Sequence, residues 1–161
     1  MKPLNRGAAP DPAASTTAIA DSWNVHREAS IVVCGCGESA RELVGLQRPL
    51  TIGVNDVGRL FDPDYLVVIN PRSQFKAERW RAIEQSKARE LFTQLDLGSV
   101  RPPVVRFKLG RYGGTDIRDD GTLHYTQNSP YVAVCLAALM GARRIGLIGV
   151  DFTEHHFFAA T

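Results

Sequence analysis

Apolar residues along this chain fall into short β-branched runs, each closed by a polar or glycine-bearing turn. "IVVC" (31–34), "LTIGVN" (50–55) and "YLVVIN" (65–70) read as buried strands of a parallel sheet, where both faces are covered. "PPVVRF" (102–107) and "RRIGLIGV" (143–150) are two further strands of the same kind. Helical patterns separate them. "ESARELVGL" follows the first strand as a short helix, and residues 75–95 read as one charged amphipathic helix with Phe75, Trp80, Ile83, Leu91 and Phe92 on its apolar face. "NSPYVAVCLAALMG" (128–141) has a clear helix start, with Asn128 or Ser129 to cap, Pro130 in the first helical position and Gly141 at the far end. That helix is apolar nearly all round and is expected to be buried. Between residues 108 and 127 lies a glycine-rich stretch without a clear period, in which "DDG" resembles a hairpin turn. The alternation predicts an α/β fold, a Rossmann-like three-layer sandwich with a mostly parallel sheet.

Length and charge narrow the class. The chain has 161 residues, enough for one domain with a sizeable core, and its 44% hydrophobic content is ordinary for a globular protein. Its formal net charge is only +2, and Arg79, Arg81, Lys87 and Arg89 are interleaved with Glu78, Glu84 and Glu90. That pattern is a solvated helix face, not the concentrated positive footprint that nucleic-acid backbones require. Cys34, Cys36 and Cys135 form no disulfide framework, and the Cys34–Cys36 spacing is too tight for a structural zinc pair. A reducing, cytoplasmic location and no thiol-bound metal are expected. No apolar run reaches the roughly 20 residues of a membrane span. Residues 1–22, rich in Ala, Pro, Ser and Thr, read as a mobile arm ahead of a single domain over 23–161. Because a doubly wound sheet normally continues beyond such a last strand, truncation at the carboxyl end is expected; "HFFAA" would then cover absent residues or a second subunit.

The polar residues that close the strands are the candidate chemistry, since ligands of open parallel sheets lie beyond the carboxyl ends of the strands. Gly35 and Gly37 bracket Cys36 directly after the first strand, with Ser39 opening the next helix. Such a turn either cradles a phosphate with backbone N–H groups or is a tight corner. The third glycine of a dinucleotide fingerprint is replaced by Ala40, and no P-loop pattern exists. Asn55 and Asp56 end the second strand and Asn70 the third, followed by Arg72 and Ser73; each suits a sugar hydroxyl or base edge, or simply a turn. Asn128 and Ser129 open the buried helix, where an amide and a hydroxyl beside backbone donors suit a phosphate as well as a cap. Arg111, His124 and Tyr125 can reach the same ligand from the irregular stretch. Asp151 leaves the last strand as a candidate base or hydroxyl acceptor. His155 and His156 follow as candidate general bases, although adjacent imidazoles diverge too far to share a metal.

Taken together, "IVVCGCGES", "IGVND", "VVINPRSQF" and "NSPYVAVCLAALMGARRIGLIGVDF" resemble bacterial sialyltransferases of the Campylobacter type and related Rossmann-like domains, over roughly residues 30–152. The resemblance implies a metal-independent transferase that moves a sugar from a CMP-sugar donor to a saccharide acceptor, with no further cofactor. It would place Gly35, Gly37 and Ser39 against phosphate or ribose, Asn55 on the nucleotide and Asn70 on the donor or its phosphate. Asn128 and Ser129 would stand for the family's Thr-Ser pair near cytidine and phosphate, with Tyr125 beside the phosphate. Cys36 occupies a position where the family often has Asn, Pro130 replaces a glycine, and the family's histidine base falls in a later segment. Archaeal pterin diphosphokinases share the opening turn and the "G-x-D" strand end. That second resemblance implies magnesium-dependent diphosphoryl transfer from ATP, in which Asp56 and Asp151 would serve as hard oxygen ligands. A non-catalytic nucleotide- or metabolite-binding module of a larger protein is the remaining reading.

Overall fold

The β-branched runs pair side by side, as their composition demands. The computed structural model describes residues 17–152, together with the short strands 155–156 and 159–160. In chain order the strands and α-helices are β1 (Thr17–Ala18), β2 (Ser30–Cys34), β3 (Leu50–Val54), β4 (Tyr65–Val67), α1 (Ala77–Glu84), β5 (Glu90–Thr93), β6 (Val104–Arg106), β7 (Lys108–Tyr112), β8 (Thr122–Tyr125), α2 (Ser129–Leu139), β9 (Arg144–Ile148), β10 (His155–His156) and β11 (Ala159–Ala160). Seven of them form one parallel sheet in the order β1-β6-β5-β4-β3-β2-β9. The chain walks outward from β2 to β6, then returns to lay β9 on the other side of β2. The direction of winding therefore reverses between β2 and β9, and an open α/β sheet leaves its ligand crevice at that reversal.

Alternation along each strand builds two cores. Ile31, Val33, Ile52, Val54, Val67 and Phe92 face α2, meeting Val132, Leu136 and Met140. Cys34, Leu66, Val68 and Leu91 face the opposite layer, where α1 supplies Trp80 and Ile83 and short 3-10 turns supply Leu43 and Val57. The result is the Rossmann-like three-layer sandwich that the pattern predicted. α2 stops because Gly141 takes φ +85°, with Gly141 N–H donating to the Ala138 carbonyl and Ala142 N–H to that of Ala137. Those two bonds form a Schellman closure. The segment at 24–28 covers the same end, its N–H groups reaching the carbonyls of Leu139, Met140 and Gly141.

Several expectations are corrected. The helix expected over 75–95 ends at Glu84, and Glu90–Thr93 is a strand between β4 and β6. Leu91 and Phe92 suit a helix face in isolation, but pairing on both edges and burial on both faces make them strand residues. The arm expected to run to residue 22 gives way to structure earlier. Thr17–Ala18 pair with β6, and Ile19 and Ser22 are buried. The "DDG" turn makes no hairpin, since β7 and β8 pair in parallel as a separate two-stranded sheet. His124 organises that excursion. Its Nδ1 accepts from Arg111 N–H at 2.9 Å, its Nε2 lies 3.0 Å from Asp116 Oδ1, and Gly110 and Gly114 press against its ring.

Candidate functional site

The carboxyl ends of β2, β3, β4 and β9 and the amino end of α2 surround an open cleft of about 350 Å³. Its walls carry Cys36, Gly37, Asn55, Asn70, Gln127, Asn128, Ser129, Pro130 and Asp151, with Val54, Gly149, Val150 and Phe152. Thus seven of the residues singled out in the sequence, scattered over more than a hundred positions, meet at one place: Cys36, Gly37, Asn55, Asn70, Asn128, Ser129 and Asp151. Gln127 and Phe152 were not singled out, although each is next to a residue that was.

Four of the walls are primary amides, from Asn55, Asn70, Gln127 and Asn128. Asn55 stands out because β3 ends by turning it into the left-handed region, at φ 51°, a conformation that asparagine tolerates better than most residues. Its N–H donates to the Val67 carbonyl at 3.0 Å, and its Oδ1 is buried with no hydrogen-bond partner. A buried amide oxygen without a donor carries an unmet desolvation cost of about 1–3 kcal/mol. Across the cleft, Asn128 occupies the N-cap position of α2 as expected, but its side chain makes no capping hydrogen bond.

The turn after β2 differs from a phosphate cradle in its hydrogen bonding. Gly35 N–H donates to the Ile148 carbonyl at 2.8 Å and Gly37 N–H to the Gly149 carbonyl at 2.7 Å. Ser39 N–H donates to Asp151 Oδ2 at 2.9 Å, its hydroxyl donates to Asp151 Oδ1, and Gly149 N–H donates to Ser39 Oγ at 2.8 Å. These donors bind the β2 and β9 loops to each other. Both glycines are required for that approach. A Cβ on Gly37 would lie 2.5 Å from Asp151 Oδ2 and 2.8 Å from the Gly149 carbonyl oxygen, and one on Gly35 would run into the same carbonyl. These bonds from Ser39 hold the Asp151 carboxyl below its ordinary range.

Asp56 does not reach the cleft. It is fully buried beneath it, accepting from Arg79 Nε at 2.9 Å and Arg79 Nη2 at 2.7 Å, with Arg59 at 3.9 Å. Next to it the Cys36 thiol points at the Val54 carbonyl, 3.5 Å away, and burial, assisted by the Asp56 charge, pushes that thiol up to about 12. Tyr125 and Arg111 belong to the β7–β8 excursion outside the cleft walls, where Tyr125 stacks edge-on against Tyr112 at 5.6 Å and Arg111 pairs with Asp116. Arg72 and Ser73 are exposed. The side chains of His155 and His156 lie outside the described residues. Among the described residues no group of three or more His, Cys, Asp or Glu side chains converges as a metal site, and no helix is long and apolar enough to cross a membrane.

Compared with known proteins, the chain matches no family model, no curated protein and no solved structure.

Proposed function

We propose that the cleft between β2 and β9 binds a nucleotide, and that the donor it serves is a CMP-linked sugar. The fold is one that in principle can bind a nucleotide at this position. The observation that carries the proposal is Asn55, whose buried, partnerless Oδ1 stands in the same cleft as the amides of Asn70, Gln127 and Asn128. Amides present donor and acceptor together, which is what a base edge or a ribose diol needs. The choice of a CMP-sugar rests on the resemblance of the strand-end segments to the sialyltransferases, and saccharide is the corresponding acceptor.

Binding has more support than transfer. Among the described residues, Asp151 is the carboxylate on the cleft wall, and two bonds from Ser39 hold it ionised, which makes it a weak base. The magnesium-dependent reading has less support, because it needs Asp56 and Asp151 as ligands and both carboxylates already have partners. Calorimetric titration with CMP, CDP, UDP, GDP and ATP, with and without magnesium, tests the proposal. CMP is expected to bind without the metal, and Asn55→Ala and Ser129→Ala each to weaken it by about 3–10-fold. Binding of ATP that requires magnesium, or no binding of any nucleotide, would refute it.

A further inference from the structure

Among the described residues, the walls of the cleft carry four neutral amides, one ionised side chain, Asp151, and no Lys or Arg. Sites for di- and triphosphates normally surround the extra charge with cations or a metal. Among the described residues the one fixed charge has the opposite sign, and it is held in place. Ser39 satisfies one lone pair on each Asp151 oxygen, through its hydroxyl and its N–H, and the close approach of Gly37 fixes the carboxylate against the β2 turn. The Glu38 N–H also donates to the carboxylate, which leaves lone-pair capacity for one further donor, and the side chain forms part of the cleft wall.

Building on the nucleotide reading, we infer that Asp151 is the specificity determinant of the cleft: it accepts a hydrogen bond from a ligand hydroxyl and excludes ligands with more than one phosphate. The substrate class is a polyhydroxylated molecule with at most one phosphate, a nucleoside, nucleoside monophosphate or monophosphate-linked sugar. Ser39 and Gly37 act as positioning residues for that carboxylate. The neutral amides then read the rest of the ligand at no cost in charge, and the volume of about 350 Å³ suits a molecule of this size.

The test is calorimetry on the full chain at constant ionic strength without magnesium, using cytidine, CMP, CDP and CTP and their adenosine counterparts. Wild-type protein is expected to bind the nucleoside and the monophosphate, and to lose about tenfold for each phosphate added beyond the first. In Asp151→Asn that loss should shrink to less than about threefold while the monophosphate still binds, and thermal melting shows that the variant is folded. In Asp151→Ala the preference for ribosyl over 2′- and 3′-deoxyribosyl ligands should disappear. Triphosphate binding tighter than monophosphate in the wild type, or an unchanged order in Asp151→Asn, overturns the inference while the nucleotide reading stands. If no nucleotide binds, the nucleotide reading fails, and free galactose, glucose and N-acetylglucosamine become the probes. Sugar binding lost in Asp151→Ala then supports the hydroxyl-reading role, and no sugar binding overturns it as well.

Discussion

Removing the guanidinium that faces Asp56 tests the support beneath the cleft. Asp56 has a fully buried carboxylate, whereas Arg79 is 20% exposed. Replacing Arg79 with Met keeps most of the aliphatic stem, but removes both hydrogen bonds to Asp56 and the guanidinium's place over the Phe75 ring. Breaking a buried pair by removing one partner costs about 3–5 kcal/mol, most of it the desolvation of the remaining charge. Arg59 stays 3.9 Å from Oδ2 and is 29% exposed, so the lower end, about 3 kcal/mol, is expected. Asp56→Asn is the milder change, about 1–2 kcal/mol, because the partly exposed Arg79 can turn to water. In the double variant the orphaned charge is gone, so its cost should fall below the sum of the two single costs by at least ~1 kcal/mol. Urea unfolding followed by tryptophan fluorescence measures all three, with Trp80 on α1 as a buried reporter. A cost under about 1 kcal/mol for Arg79→Met, or strictly additive costs, would refute the reasoning. Either result would mean that Asp56 is solvated by some route other than Arg79.

Further outcomes follow from the same contacts. Gly37→Ala puts a methyl 2.5 Å from Asp151 Oδ2 and should destabilise the fold by about 1–3 kcal/mol while abolishing ligand binding; urea titration and calorimetry check the two parts. Gly114→Ala, whose Cβ would lie 2.5 Å from His124 Nδ1, should loosen the 108–125 excursion and speed amide exchange of Arg111, leaving ligand binding intact. Burial and then the Arg89 charge hold His26 below its ordinary 6.5, with Asp64 acting the other way. The unfolded chain therefore takes up that proton first, so stability should be full above about pH 6.5 and decline below it, and His26→Gln should flatten the melting-temperature profile between pH 7.5 and 5.5. The Asp151 carboxyl is held below its ordinary 3.8, mainly by the Ser39 hydroxyl, so its contribution is present above that value and lost as pH falls through the lower folded one. Wild type and Ser39→Ala should consequently differ in unfolding midpoint at pH 7 and converge in acid.

The parts of the fold legible in the sequence are those whose signals are local. β2, β3, β4 and β9 each announce themselves as β-branched runs, and α2 carries its own start in Pro130 and its own stop in Gly141. β5 was hidden because Leu91 and Phe92 keep helical phase with Trp80 and Ile83; what makes them a strand is hydrogen bonding to β4 on one edge and β6 on the other. β1 was hidden because two residues carry no period, and its partner lies near residue 105. Strand-end polar residues were legible as a set, because parallel strands place their carboxyl ends together whatever the loops between them do. The burial of Asp56 was not, since it depends on Arg79 reaching across from α1.

The Ser39–Asp151 pair shows why the β2 turn reads differently in the sequence and in the fold. Glycines after a first strand signal a close approach of backbone to something, and in dinucleotide sites that something is pyrophosphate. Here the approaching group is the β9 loop, from 112 residues further along, and it brings its own anion. Nothing in "GCGES" distinguishes an anion supplied by a ligand from one supplied by the chain. The distinction is carried by Gly149 N–H, which donates to Ser39 Oγ and so sets the hydroxyl that donates to Asp151. A carboxylate fixed in that way removes the reason to place a phosphate at the β2 turn. Under the proposed reading, the amides of Asn55, Asn70 and Asn128 on the other walls then recognise the ligand, and Asp151 selects for its charge.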